Sequence, residues 1–346
     1  MKNLIYLALL MPCLGNALEF DVNVTNCGGL SGPASDPNSD CGQMKAAIEN
    51  FEDLPDVSID KYADGVSDAN AFALKGQSSD YADNFSFITV KPSFGIAIKG
   101  DPELLSDDPE SAEGIGLGAA LSVGLNMSLL PVNKIGPIDF NKLDVFVSFM
   151  SYSLNQDTDG TEIDGEIGSF GVFARYRLID SVDIVPGYLV EWGGLHLHTG
   201  IQRSSMNIDV NQKLDKETVT SGGVNAEFQN GFARFGLETE NTSIPIEVST
   251  FLRLGYVFTF YGGAGFDYTF GSSDITFEAD GDITEGSGFA AEVSASEGAD
   301  GGPEATAFRS FAGLQFNVPF ARLYAQFNKG IGNDLNGVNL GAKFTW

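Results

Sequence analysis

His196 and His198 are the only histidines of the chain and stand two residues apart, so an extended strand would send both imidazoles from one face. Such a pair could ligate a metal, or one ring could act as a general base beside a carboxylate such as Glu191. No nucleophile motif and no third ligand at metal-site spacing accompanies them. The plainer reading is two polar groups facing a polar interior, and no enzyme is expected. A second constellation, Asn155, Asp157, Asp159 and Glu166 around Gly160, follows the ligand spacing of a twelve-residue calcium loop. Asn155 replaces the usual first Asp and Glu162 sits where a hydrophobe normally lies, so calcium is only a candidate ligand and no other cofactor is expected. The clusters Gly114-Ile115-Gly116-Leu117-Gly118 and Gly262-Gly263-Ala264-Gly265 lie inside alternating stretches with no helix to follow, which excludes phosphate loops.

These groups need a scaffold, and its period is two. Ile115, Leu117, Ala119, Leu121, Val123, Leu125, Met127 and Leu129 alternate with Gly116, Gly118, Ala120, Ser122, Gly124, Asn126 and Ser128, a pattern no helix presents. The same alternation recurs over 85–99, 143–154, 169–178, 187–203, 246–254, 258–270, 308–318, 323–327 and 338–346. Phe146 and Phe173 break it, and the parity switches at Gly193-Gly194, where a bulge is expected. No later stretch is apolar for the 18 or so residues of a membrane-spanning helix, so past the amino terminus only a closed barrel could cross a bilayer.

The last strand ends on a free aromatic residue. Asn339, Gly341, Phe344 and Trp346 occupy the places of a polar residue, a glycine, a hydrophobe and a final aromatic, and so resemble the terminal assembly signal of Gram-negative outer-membrane barrels. The resemblance implies an all-β, transmembrane, antiparallel up-and-down barrel of about ten to twelve strands, fourteen as the upper count, in the bacterial outer membrane. Its implied partners are outer-membrane lipid and lipopolysaccharide and the outer-membrane assembly machinery. The layout, a plug-like segment before a barrel with long outer loops, also loosely resembles long-chain fatty-acid transporters, though no motif carries over.

Residues 1–17 have the charged start, apolar run and small residues of a secretory signal cut after Ala17; Pro12 fits poorly beside a lipidated Cys13. Residues 18–84 form a periplasmic or plug segment in which an exported chain would bond Cys27 to Cys41. There Asp40 and Gln43 suggest a capping box for a helix whose stripe is Met44, Ala47, Ile48 and Phe51. Residues 85–346 form the barrel, with both chain ends in the periplasm. Its outer loops are expected at 101–113, 155–164, 204–243, 276–304 and 330–337, the third long enough to hide another hairpin.

Strand parity sends Lys91, Lys99, Arg175, Arg177, Arg253, Arg309, Arg322 and Lys343 into the lumen with Asp144, Glu191, Glu247 and Asp267. The chain as a whole carries a formal charge of -28, concentrated in the outer loops, which argues against nucleic acid as a partner. Two functions follow. A channel or transporter would pass small solutes through the lumen, whereas a surface structural or adhesin barrel would have a filled lumen and act through its acidic loops. The oligomeric state is left open.

Overall fold

Alternation along a strand has structural meaning only if every backbone amide and carbonyl finds a partner, and here the partners close a ring. The computed structural model describes residues 20–49, 59–84, 87–100, 112–131, 134–158, 160–185, 189–214, 216–221, 224–285, 289–318 and 321–346. The expected signal at 1–17, and Phe51 of the first helix, lie outside them. The main elements are β1 (Phe20–Cys27), α1 (Asp40–Glu49), α2 (Ile59–Ala73), β2 (Ile88–Gly100), β3 (Ala112–Asn126), β4 (Leu143–Thr158) and β5 (Thr161–Ile179). They continue with β6 (Val190–Lys213), β7 (Val224–Leu254), β8 (Phe258–Glu285), β9 (Phe289–Gly301), β10 (Thr306–Asn317), β11 (Arg322–Ile331) and β12 (Leu335–Thr345). Antiparallel pairing runs β2-β3-β4-β5-β6-β7-β8-β10-β11-β12, and β12 pairs with β2. The ring of ten strands leaves no edge in the band it encloses.

The expected bulge lies at Gly194, whose φ is 85° and where an added Cβ would sit 2.0 Å from the Ile179 carbonyl oxygen. The two parity breakers are one contact. Phe146 and Phe173 oppose each other across β4 and β5, both turned inward and buried, with the Arg175 guanidinium 5.8 Å from the Phe146 ring. Gly124, Gly171 and Gly200 supply the room that these rings need.

The stretches 204–243 and 276–304, expected as loops, are mostly strand. β6, β7 and β8 rise well beyond the ring, and β9 and β10 follow one another down the same edge of β8. No further hairpin joins the ring among the described residues. Instead β4 to β9 continue upward as an outer sheet, with β1 added at the β9 edge.

Each long strand changes sides at one rung. Along β7 the outward residues Leu252, Val248, Ile246 and Ile244 give way to Glu240 and Glu238, while the inward Ser249, Glu247, Asn241 and Thr239 give way to Leu237 and Phe235. On β8 outward Phe258, Phe260, Phe266, Tyr268 and Phe270 yield to Asp274, and inward Asp267 and Ser273 yield to Ile275 and Phe277. Apolar outside and polar inside suits a barrel in lipid; acidic outside and apolar inside suits a sheet in water. The change of sides marks the outer limit of the membrane band.

The inner apolar face of the outer sheet is covered by the start of α2, where Tyr62, Ala63 and Val66 pack on Met206, Val210, Phe235, Leu237, Ile275 and Ala299. Burying a side chain such as Leu237 or Phe235 is worth about 1.5–3 kcal/mol. Farther out, Cys27 and Cys41 form a disulfide, and Cys41 packs with Val22, Ile283, Ala291 and Val293. α1 is capped one residue earlier than expected: Ser39 Oγ accepts from the Gly42 amide at 2.9 Å, whereas Asp40 accepts from the Ser31 hydroxyl at 2.6 Å. This stapled portion therefore lies on the outer sheet, because β1 pairs with β9, whereas a periplasmic or plug position is expected for residues 18–84.

Candidate functional site: a charged lumen and what fills it

α2 was not visible in the sequence. It descends from the outer sheet into the ring along a track of glycines on β2 and β3. A Cβ on Gly114 would meet the Gly65 carbonyl carbon at 2.1 Å, one on Gly116 the Ala69 carbonyl carbon at 2.1 Å, and one on Gly95 the Ala73 oxygen at 2.3 Å. The glycine cluster of β3 is thus a seat for a helix whose own contact residues are Gly65, Ala69 and Ala73. From Leu74 the chain continues as a fully buried segment to Asp83.

Together α2 and that segment meet most of the bases assigned to the lumen. Lys99 Nζ lies 2.6 Å from Asp68, and Lys343 Nζ donates to both Asp80 oxygens at 2.9 and 2.8 Å. Arg253 pairs with Asp83 and, at 2.8 Å, with Glu191; Arg322 also pairs with Asp83. Arg175 donates to Asp144 at 2.7 Å and to the Asp80 and Asp83 carbonyls at 2.7 and 2.6 Å. Lys91 donates to the carbonyls of Gly76, at 2.9 Å, and Ser79. Arg309, wholly buried, joins Asp267 at 2.8 Å and Glu247, while Lys75 of the segment reaches Asp267 at 3.0 Å and the Tyr81 hydroxyl donates to Glu247 at 2.5 Å. Arg177 stands apart at the turn end, 4.0 Å from Asp180. Charges taken out of water need such partners, since an unpaired one costs several kcal/mol.

The fit is close. The cavity between Asp80, Lys91, Tyr261, Tyr324 and Lys343 has a volume of about 10 Å³, room for no more than a single water. Asp68, Lys75, Asp80, Tyr81 and Asp83 were missed because no periodicity announces a segment buried on all sides; three acids just before an alternating, base-bearing region were the available signal.

The histidines are brought together and buried, with rings 6.3 Å apart. His198 lies 2.7 Å from Ser79 Oγ and 2.7 Å from Ser249 Oγ, and His196 lies 3.0 Å from Asn84 Oδ1. Among the described residues their hydrogen-bond partners are neutral, and Glu191 is engaged by Arg253.

The calcium candidates are not brought together. Asn155 and Asp157 sit in a β-hairpin opposite Asp164 and Glu162, while Glu166 stands opposite Ser153, about 13 Å along the strand from Asp157. Asp159 lies outside the described residues. An extended ladder spreads ligands that a calcium loop would fold around one point.

At the last strand, Asn339 faces inward and donates to the Lys75 carbonyl, Gly341 leaves space for the Tyr324 hydroxyl, and Phe344 and Trp346 face outward. Above the band, acids crowd the outer face. Asp274 and Asp300 oppose each other, and a hydrogen bond between their carboxyls raises the Asp274 pKa from the usual aspartate value.

A closed hydrogen-bonded ring, an apolar belt outside and a charged interior define an integral membrane β-barrel of the outer-membrane type, here with its lumen filled by its own chain. Residues 25–346 match the model of the Lsa36-like family, and the chain belongs to that family. No curated protein matches it. Among solved structures it is similar to the translocator domain of the autotransporter NalP from Neisseria meningitidis, with 10% identity over 80% of this chain and 93% of that one and a TM-score of 0.30. It is also similar to the outer membrane protease OmpT from Escherichia coli, with 9% identity, 76% and 99% coverage and a TM-score of 0.32. The attachment invasion locus protein Ail of Yersinia pestis gives 11%, 76% and 100%, and 0.24. At these scores none of the three bears on what this chain does.

Proposed function

We propose that the protein is a surface barrel of the bacterial outer membrane that conducts nothing in its resting form and works through its outer acidic sheet, as a structural anchor or adhesin. The observation that carries this reading is the lumen segment, whose acids and carbonyls engage Lys91, Lys99, Arg175, Arg253, Arg322 and Lys343. A solute would have to displace that segment to pass. The histidine pair has no part in catalysis here, being buried among neutral partners. The sheet's outward acids, among them Glu238, Glu240, Asp274 and Glu278, favour a basic partner surface over nucleic acid. Neither a metal nor a cofactor is part of this reading.

The test uses purified, refolded protein. Unboiled protein in detergent should migrate differently on a gel from boiled protein, because the ring resists unfolding. The same preparation should leave a planar bilayer without steady current. Ohmic steps from the unmodified protein would favour the channel reading, and identical gel mobility with helical circular dichroism would remove the barrel itself.

A further inference from the structure

The amino-terminal strand and the carboxyl terminus lie on opposite sides of the membrane band. Trp346 exchanges backbone hydrogen bonds with Ile88 at the turn end, at 3.0 and 3.3 Å. β1, in contrast, pairs with β9 over Ala295 to Phe289, and that stretch pairs with Ala279 to Thr284 of β8, well beyond the last belt residue Phe270. The contacts between these two ends descend in order. Asp64 accepts from the Gly302 amide at 2.8 Å, Asp68 holds Lys99, Lys75 holds Asp267, and Asp83 reaches Arg253 and Arg322 at the turn end. The chain therefore crosses the membrane band once inside the ring, in addition to its ten crossings in the wall. The ring is hydrogen-bonded all round, including the β12 to β2 seam, so the segment has no sideways route into a finished barrel.

We infer that the barrel exports its own amino-terminal segment: residues 20–49 pass outward through the ring, and residues 59–83 are the trailing portion that stays as the stopper. This rests on the membrane-barrel reading. The composition of the stopper suits passage, since Gly65, Ala69 and Ala73 present little bulk to the glycine track and Asp68, Lys75, Asp80 and Asp83 meet their charge partners only once seated. The outer sheet then captures the arriving segment by strand addition at β9, and Val22 and Cys41 close over its apolar face.

The experiment places one epitope after Pro37, in the exposed loop between the two cysteines, and another after Tyr256 in the turn joining β7 and β8, each in the full chain. Intact cells should bind antibody at the first site and not the second, and permeabilised cells at both. Labelling at Pro37 only after permeabilisation, in protein that keeps its heat-modifiable mobility, would overturn the inference; loss of that mobility would instead count against the barrel reading beneath it. Labelling of both sites on intact cells would also overturn it. A second arm joins a small disulfide-locked domain, or an unstructured peptide of equal length, ahead of Phe20. A ring this narrow should pass the peptide and cut surface labelling about tenfold for the locked domain. Equal labelling would exclude the lumen as the route.

Discussion

A chain lacking residues 20–83 should conduct where the intact protein is silent. Deletion removes Asp68, Asp80 and Asp83 together and withdraws the carbonyls that hold Lys91 and Arg175. What remains facing the lumen is Lys91, Lys99, Arg175, Arg177, Arg253, Arg309, Arg322 and Lys343 against Asp144, Glu191, Glu247 and Asp267. Charges on the outer sheet are screened within about 8 Å at physiological salt, while those lining a narrow passage are screened far less. The deleted barrel should therefore show steady current with an anion-selective reversal potential across a salt gradient. Silence would mean that the wall side chains close the lumen unaided, and a cation-selective sign would mean that the acidic sheet governs the mouth. The inner apolar face around Met206, Phe235 and Leu237 loses its cover in this variant, but the ring below keeps its hydrogen bonds and its shifted gel mobility.

Arg309→Ala should be the most damaging single substitution in the wall. Arg309 has no exposure and bridges Asp267 and Glu247, with a further hydrogen bond to Asn328 at 3.2 Å. Without it, two buried carboxylates share Lys75 and the Tyr81 hydroxyl. Breaking a buried pair by removing one partner costs about 3–5 kcal/mol. Arg203→Ala is the matched control, because Arg203 and its partner Glu240 are largely exposed and such pairs are worth about 1 kcal/mol or less. Measured as the temperature at which the folded gel band is lost, the first variant should fall well below the wild type and the second should stay near it. Equal shifts would show that the lumen network contributes no more than a surface pair.

Much of the ring was legible because lipid outside and polar groups inside enforce strict alternation, as in Ile115 to Leu129. Phe146 and Phe173 looked like errors of register only because their pairing partner was each other. The outer sheet was harder to see. Leu237-Glu238-Thr239-Glu240 still alternates, but with the sense of its faces exchanged, and acid-rich segments of that kind resemble loops when the parity is followed from the membrane belt. The lumen segment was the least legible part. Its partners lie far away in sequence, Lys75 and Asp267 being 192 residues apart, and residues 74–83, buried throughout and not helical, have no solvent face to give them a stripe. The calcium spacing presents the opposite case, since spacing along the chain brings ligands together only where the chain folds back on itself, and here Asn155, Asp157 and Glu166 lie along a straight hairpin.

The claim on which all of this depends is that the segment after α2 sits inside the ring. Ser78 and Ser148 test it directly, because the first belongs to the segment, the second to β4, and their hydroxyl oxygens lie 2.9 Å apart in the buried interior. In envelopes from cells carrying Ser78→Cys with Ser148→Cys, non-reducing digestion should recover a peptide linked between these positions alongside the one linking Cys27 to Cys41. Two freely alkylated thiols at 78 and 148, in protein that still runs as a folded barrel, would contradict it.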